Sequence, residues 1–404
     1  MWLVPLEALT EDQRNSVHMS TDRHRIIVGG PGSGKTLVLV HRAHQAIARG
    51  VPPDRVKVLV YTRLLRQYLQ EGVSLLGLPE DAVSTFDAWC LTMFDTHVKG
   101  KRPVDDKKII QFEVVRERVL AKIRLLQLEP LFDVILVDEG QDLSATALEL
   151  LSAVSRHVTV ALDARQQLYD TGMNLEMAAE ALGIRGQGHG LLTAYRCTPL
   201  IVDLAAEFIS DMEEAMRFRR ANLLRLEGIE KPVFVESDDD ASEWDALAGA
   251  LKTRALAGQT SAVLLPTKYW VRRTQRELQA RSVSVSTIAD ADFGDLQPEV
   301  LTYHTAKGLT VDAVFLPGLT KKRFANLGDD FRIRALLFVG ITRATRWVWL
   351  GTRAQDSLDQ LSALPSVEQR GSVMRLEVKA LSSAQPEPPQ PVEADAFSSV
   401  ADWL

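Results

Sequence analysis

The sequence contains few cysteines and no long apolar segment. Cys90 and Cys197 are its two cysteines, and they lie far apart without the spacing of metal ligands. This usage argues against a disulfide framework or a zinc site and is typical of a reducing compartment. No apolar run approaches the roughly 20 residues that span a bilayer, and the first residues lack the basic flank and apolar core of a signal peptide. We therefore expect a soluble, cytoplasmic protein without a membrane partner.

An excess of positive charge is also missing, because the formal net charge is −6 at pH 7. This balance argues against a partner held by bulk electrostatics, although a local basic groove could still bind nucleic acid. The candidate basic clusters lie within residues 217–220, 272–276 and 321–323. Each of them is also explained as a solvated helix face or loop.

The chain does contain an alternation of short apolar segments with helical stretches, which predicts an α/β fold with parallel sheets. Its length of 404 residues favours two or more domains. We predict a first domain over residues 1–192, with a short helical insertion over 91–130, and a second domain over 193–379. The acidic, proline-rich residues 380–404 are expected to be disordered. The predicted strands are residues 26–28, 56–61, 134–137 and 158–162, then 233–235, 262–265, 300–303, 313–316 and 347–350.

The most specific motif is Gly-Gly-Pro-Gly-Ser-Gly-Lys-Thr at residues 29–36, directly after an apolar segment. This pattern is typical of a P-loop, in which backbone amides and the following helix N-terminus bind phosphates. Lys35 would reach the β- and γ-phosphates, and Thr36 would bind Mg²⁺. A structural glycine-rich turn is the alternative. The predicted nucleotide contacts in this loop are Gly29, Gly30, Pro31, Gly32, Ser33, Gly34, Lys35 and Thr36.

A second motif places two acids at the end of an apolar segment, in Ile-Leu-Val-Asp-Glu-Gly-Gln-Asp at residues 135–142. A P-loop enzyme needs a carboxylate for Mg²⁺ and a base for water at such a position. Asp138 would hold the metal, and Glu139 would orient and deprotonate the attacking water. Capping of the next helix is the alternative for these acids, and it also fits Asp142.

Further motifs, in their order along residues 6–352, resemble those of superfamily 1 helicases of the UvrD/PcrA/Rep group. They are residues 9–13, 38–42, 162–169, 194–198, 303–309 and 338–344. The resemblance implies two RecA-like domains with ATP bound in the cleft between them. It also implies adenine contacts by Gln13, Arg42 and Tyr195, γ-phosphate contacts by Gln166 and Arg196, and an arginine finger at Arg343.

The strand-binding motifs match this family less well. Asp87 stands where the family has a His, and Thr310 stands where it has a Glu. Residues 170–172 replace an Arg-aromatic-Arg stretch that carries a base-stacking platform. Core packing therefore remains an alternative for the two aromatic candidates. The nucleic-acid contacts that the resemblance implies are Tyr61, Thr62, Thr85, Phe86, His304 and Thr305.

The implied function is an ATP- and Mg²⁺-dependent motor that moves 3′→5′ on single-stranded DNA, in repair, recombination or defence, with RNA not excluded. Duplex unwinding is less well supported, because residues 286–299 replace the large accessory subdomain of the family. The alternative is an ATP-gated interaction subunit of a larger complex, for example with a nuclease. In that case the acidic segment 395–404 would contact the protein partner.

Overall fold

A computed structural model describes residues 5–63, 65–67, 69–70, 78–163, 173–184, 188–191, 197–221, 230–286 and 296–378. Within them, two six-stranded sheets account for the named strands. Every pairing between neighbouring strands is parallel in both sheets. Parallel strands need crossover connections, and helices supply them here.

The first sheet has the order β3-β2-β4-β5-β1-β6. Because β1 lies between β5 and β6, the P-loop that follows β1 lies inside the carboxyl edge of this sheet, beside the segment after β5. The strands are β1 (Arg25–Gly29), β2 (Val56–Val60), β3 (Val83–Thr85), β4 (Phe132–Val137), β5 (Ser155–Leu162) and β6 (His189–Leu191).

The second sheet has the order β12-β7-β11-β10-β8-β9. Its edge strand β9 is followed directly by the segment that contains His304, Thr305 and Lys307. The strands are β7 (Val233–Glu236), β8 (Ser261–Leu265), β9 (Glu299–Thr302), β10 (Val311–Leu316), β11 (Ala344–Thr352) and β12 (Met374–Glu377).

Helices accompany both sheets. Residues 63, 65–67 and 69–70 are helical. The other α-helices are α1 (Glu11–His18), α2 (Lys35–Ala48), α3 (Phe86–Met93), α4 (Phe112–Leu126), α5 (Ala145–Val154), α6 (Leu175–Ala181), α7 (Pro199–Ala206), α8 (Met212–Ala221), α9 (Asp240–Leu256), α10 (Lys268–Ala280), α11 (Lys321–Phe324), α12 (Asp330–Ile341) and α13 (Leu364–Gln369).

The central strands are apolar on both faces because helices cover both faces. In β4, Ile135 and Val137 pack with α3, α4 and α5, while Val134 and Leu136 pack with α2 on the opposite face. Strand β10 divides its side chains in the same way between α7 and α12 on one face and α9 on the other. Successive strand residues point to opposite faces, so one short apolar run serves two hydrophobic layers.

The structure confirms the predicted α/β class with two parallel sheets flanked by helices. The sequence patterns missed β3, β6 and β12, which have three, three and four residues and lie at sheet edges. The division at residues 192 and 193 remains a prediction, and residues 380–404 lie outside the described part. No helix among the described residues is both long and apolar enough to cross a membrane.

Candidate nucleotide site

The P-loop connects β1 to α2. Gly32 and Gly34 have φ angles of 76° and 85°, a backbone conformation that favours glycine. They turn the chain onto the amino end of α2, where unpaired amides and the helix dipole favour an anion. The Ser33 hydroxyl is buried and has no hydrogen-bond partner among the described residues. A phosphate oxygen would supply that partner, so the loop fits the predicted ligand.

Lys35 directs its ammonium group back over this loop. Its Nζ donates to the carbonyl oxygens of Gly29 at 2.8 Å and Gly30 at 3.0 Å. The same atom lies 3.5 Å from the carboxylate of Asp163, which follows β5. The structure therefore places a buried cation between the P-loop and the end of the neighbouring strand.

Asp138 follows β4 and contacts the first turn of α2. Thr36 Oγ1 donates to its Oδ2 at 2.5 Å. Burial, reinforced by the charge of Glu139, raises the pKa of Asp138 to about 6. Hydroxyl and carboxylate oxygens are the ligands that Mg²⁺ prefers, and a cation would relieve the repulsion within this buried acid pair. The residues present therefore fit a Mg²⁺ ion held by Thr36 and Asp138.

Glu139 has a backbone conformation that is rare for a residue with a side chain, with φ 55° and ψ 41°. Such strain costs on the order of 1–3 kcal/mol and concentrates at functional sites. Gln141 fixes the carboxylate, because its Nε2 donates to Glu139 Oε2 at 2.5 Å. The Oε1 of Gln141 accepts the Asp163 amide at 2.9 Å. The segments after β4 and β5 are therefore joined through one glutamine side chain.

Lys307 brings the second sheet to these acids. Its Nζ lies 2.5 Å from Asp142 Oδ2 and 3.6 Å from Glu139 Oε2, and all three side chains are buried. The next residue, Gly308, has a φ of 84°, and a Cβ there would lie 2.8 Å from a methyl carbon of Leu65. The segment after β9 thus packs closely against the first sheet's domain at the acid pair.

Arg343, between α12 and β11, is the other cation of the second sheet that acts on Glu139. Its Nε donates to the Val339 carbonyl at 2.9 Å, and its Nη2 donates to Thr342 Oγ1 at 3.1 Å. Burial alone would raise the pKa of Glu139, but Lys307, Lys35 and Arg343 outweigh burial and hold that pKa below its ordinary value. Glu139 is therefore ionised at neutral pH.

Residues 13–171 match the family model of an AAA domain, and residues 299–350 match that of a UvrD-like helicase C-terminal domain. The resemblance to the UvrD-like helicases is confirmed. No curated protein matches the chain. A solved C-terminal domain of a possible DNA helicase from Lactobacillus plantarum WCFS1 is 19% identical over 45% of this chain and 99% of its own, with a TM-score of 0.35. That similarity is too low to support a conclusion about fold or function.

Two of the residues that the UvrD-like pattern assigns to adenine lie within the described part, and only one of them lies beside the P-loop. Gln13 Nε2 donates to the Ser33 carbonyl at 2.9 Å, so Gln13 lies at the P-loop, and its adenine contact remains a prediction. Arg42 instead donates to the carbonyl oxygens of Ser16, Val17 and Met19 at 2.7–3.2 Å. It is 4% exposed, and burial lowers its pKa to about 10. Arg42 therefore connects α2 to α1, and this geometry does not support the predicted adenine contact.

Three residues of the first domain that the UvrD-like pattern assigns to nucleic-acid contacts have structural roles in this fold. Phe86 is 4% exposed and stacks on Trp89 at a centroid distance of 5.8 Å, so it is a core residue rather than a base-stacking platform. The Thr85 hydroxyl accepts the Ala88 amide at the start of α3. The Thr62 hydroxyl accepts the Leu65 amide in the same manner. Each cap uses an acceptor lone pair of the hydroxyl and leaves its proton free, but Thr62 and Thr85 are both buried, which limits their access to a phosphate.

The remaining candidates for nucleic-acid contacts lie close to Lys307. Lys307 Nζ is 6.0 Å from the centroid of the partly exposed Tyr61 ring. His304 and Thr305 are also partly exposed, and the Thr305 hydroxyl bonds that of Thr302 at 2.8 Å. Tyr61 on one sheet's domain and His304 and Thr305 on the other's therefore remain predicted nucleic-acid contacts. Gln166, Tyr195, Arg196 and residues 170–172 lie outside the described residues.

The sequence motifs contained three contributing residues without revealing their roles. Gln141 fixes the predicted base, Asp163 contacts Lys35, and Lys307 pairs with Asp142. Gln141 and Asp142 directly follow the acid pair, and Asp163 follows an apolar strand, so their positions gave a usable signal. The partner of Lys307 could not be read in this way, because it is 165 residues distant in sequence.

Proposed function

We propose that this chain is an ATP-driven motor of the UvrD-like type that moves along single-stranded DNA in the 3′→5′ direction, with RNA as the alternative track. Duplex unwinding and a role in repair, recombination or defence belong to the same proposal. The observation that supports it best is the buried contact of Lys307 with Asp142 and Glu139. Lys307 lies in the segment after β9 of the second sheet. It contacts Glu139, the carboxylate at the edge of the first sheet that would activate water.

The chemistry proposed for the site follows from its charges. Lys35 binds the β- and γ-phosphates, and Arg343 neutralises charge that develops on the γ-phosphate. Glu139 is ionised, and it accepts a proton from the attacking water. Thr36 and Asp138 would hold Mg²⁺, and the ion would offset phosphate charge. Because the cations of both sheets act on Glu139, turnover requires the two sheets to be in contact.

Movement on a strand follows if the same contact carries strand-binding groups. Tyr61, His304 and Thr305 lie on the two sides of this contact, near Lys307. Loss of the γ-phosphate would remove ligand contacts that hold the sides together, so they would separate and then close again on the next ATP. Such alternation is how ligand-driven closure produces a motor stroke.

ATP turnover with and without an oligo-dT strand tests this function, together with displacement of streptavidin from either end of the strand. Strong stimulation and faster displacement at the 5′ end are expected. Glu139→Gln should retain ATP binding and stop hydrolysis, whereas Glu149→Gln, on an exposed acid of α5, should change neither. Absence of strand stimulation would refute the motor.

The ATP-gated interaction subunit remains a second candidate function because Phe86, Thr62 and Thr85 are buried. With fewer groups free for a strand, closure could signal to a protein partner instead. This function predicts ATP turnover that a co-purifying protein stimulates and oligo-dT does not. The same turnover assay therefore separates the two functions.

A further inference from the structure

A cleft opens at the amino edge of the first sheet, on the opposite side from the P-loop. Its volume is about 630 Å³, and its walls are Met19, Arg156 and residues 22–26, 182–184 and 188–189. We call it the Arg23 cleft. It lies where β1, β5 and β6 begin, so its ligands would not compete with the nucleotide at the other end of β1. Its volume lies within the roughly 300–1,000 Å³ of small-molecule sites.

The charge of the Arg23 cleft is positive. Arg25 pairs with Asp22 at 2.8 Å. Arg156 pairs with Asp133 at 3.1 Å, but the same carboxylate also pairs with Arg55 at 2.7 Å. Arg23 is exposed, and the acid on which its charge acts, the neighbouring Asp22, already pairs with Arg25. The cleft walls thus carry three arginines, Arg23, Arg25 and Arg156, and one carboxylate, Asp22, which leaves positive charge for an anion.

Two histidines form part of the walls. His24 has both ring nitrogens engaged, because Nδ1 accepts the Val158 amide and Nε2 donates to Ser152 Oγ, each at 3.0 Å. His189 differs, since its Nε2 is buried without a hydrogen-bond partner in the described part of the chain. Because that nitrogen has almost no accessible surface, Arg23 supplies the accessible donor group of these walls, to which a ligand with acceptor oxygens would bind.

We propose that the Arg23 cleft binds a small organic phosphate. A phosphate monoester carries close to two negative charges at neutral pH, and the planar guanidinium group matches its oxygens. The cavity is larger than a phosphate group, and Met19, Ile26, Leu182 and Ile184 supply apolar surface for an organic part. This proposal is independent of the proposed motor function.

AMP and inorganic phosphate are the probes, because the P-loop requires phosphates that AMP lacks. Isothermal titration of the full chain should give saturable AMP binding that is at least tenfold tighter than phosphate binding. Lys35→Ala should leave the AMP affinity unchanged. Arg23→Ala should weaken it about tenfold or more, and Arg23→Ala with Arg156→Ala further, since each removes charge-assisted hydrogen bonds.

Arg217→Ala provides the matched control, because Arg217 is an exposed arginine of α8 that pairs with Glu213. It should leave AMP binding unchanged. Retained ATP binding in the Arg23 variants shows that they are folded, and Arg23→Gln repeats the test with a smaller change in volume. Lack of saturable AMP binding overturns the proposal. Binding that Lys35→Ala removes and the Arg23 variants retain also overturns it, because that pattern belongs to the P-loop.

Discussion

Replacing Lys307 by Met removes the buried cation between the two sheets while keeping a long apolar side chain. Asp142 and Glu139 then remain buried without the ammonium group that lies 2.5 Å and 3.6 Å from them. Breaking a buried ion pair from one side costs about 3–5 kcal/mol. Because this pair joins the two sheets, the cost falls on the arrangement in which they are in contact. Each 1.36 kcal/mol is a factor of ten, so ATP turnover should fall about 10²- to 10⁴-fold.

The assay is steady-state ATP turnover with saturating oligo-dT for Lys307→Met, Asp142→Asn and the double variant. The double variant should recover part of the loss, because it no longer buries an unpaired carboxylate at residue 142. Lys321→Met is the matched control, since Lys321 is 57% exposed and pairs with Asp359 on the surface, where a pair is worth about 1 kcal/mol or less. Wild-type turnover in Lys307→Met, or purely additive losses in the double variant, would refute the reasoning.

Four further predictions follow from single contacts. Lys35→Ala should abolish ATP hydrolysis, and turnover near wild type would rule out the P-loop assignment. Arg343→Ala should retain ATP binding in a filter assay and lose about 10³- to 10⁵-fold in kcat, as other arginine fingers do; a twofold loss would contradict that role. Gly308→Ala should lower ATP turnover, because the residue has a φ of 84° and its Cβ would meet Leu65. Adding Leu65→Ala to this variant should restore part of the lost turnover. Unchanged turnover in Gly308→Ala would contradict the close approach. Burial raises the pKa of Glu299 from 4.5 to about 7. The free energy of unfolding therefore falls as pH rises through that window, by about 3 kcal/mol at most, because the carboxyl ionises more readily in the unfolded chain. Glu299→Gln should therefore raise the Tm at pH 8 and leave it nearly unchanged at about pH 4, below both pKa values; an equal shift at both values would refute this origin.

The nucleotide site could be predicted from the sequence because its parts are local. A glycine-rich loop, a Lys-Thr pair and two acids each follow a short apolar strand, and parallel strands bring their carboxyl ends to one edge of a sheet. The structure joins Thr36 to Asp138 and Lys35 to Asp163 at that edge. Local sequence was therefore sufficient to predict which elements would meet, although the roles of the residues remain predictions.

The strand contacts of the first domain could not be predicted in the same way, because they depend on competition between a ligand and the fold. The hydroxyls of Thr62 and Thr85 cap helices, and the buried ring of Phe86 stacks on Trp89 of the same helix. The residue type in a motif does not reveal whether the side chain is buried or already bonded within the fold. Arg42 illustrates the same limit, since three backbone carbonyl oxygens bind a guanidinium that the motif would assign to adenine.

The contact at Lys307 shows why the arrangement of two sheets cannot be read from either motif alone. Glu139 lies in a strained conformation on the first sheet, and Gln141 holds it there. Its pKa is set by Lys35 from its own domain and by Lys307 and Arg343 from the other. The charge of one carboxylate therefore depends on the distance between two sheets that share no strand. A change in this distance would change the electrostatic environment of Glu139, and the proposed coupling of ATP turnover to movement requires such a dependence.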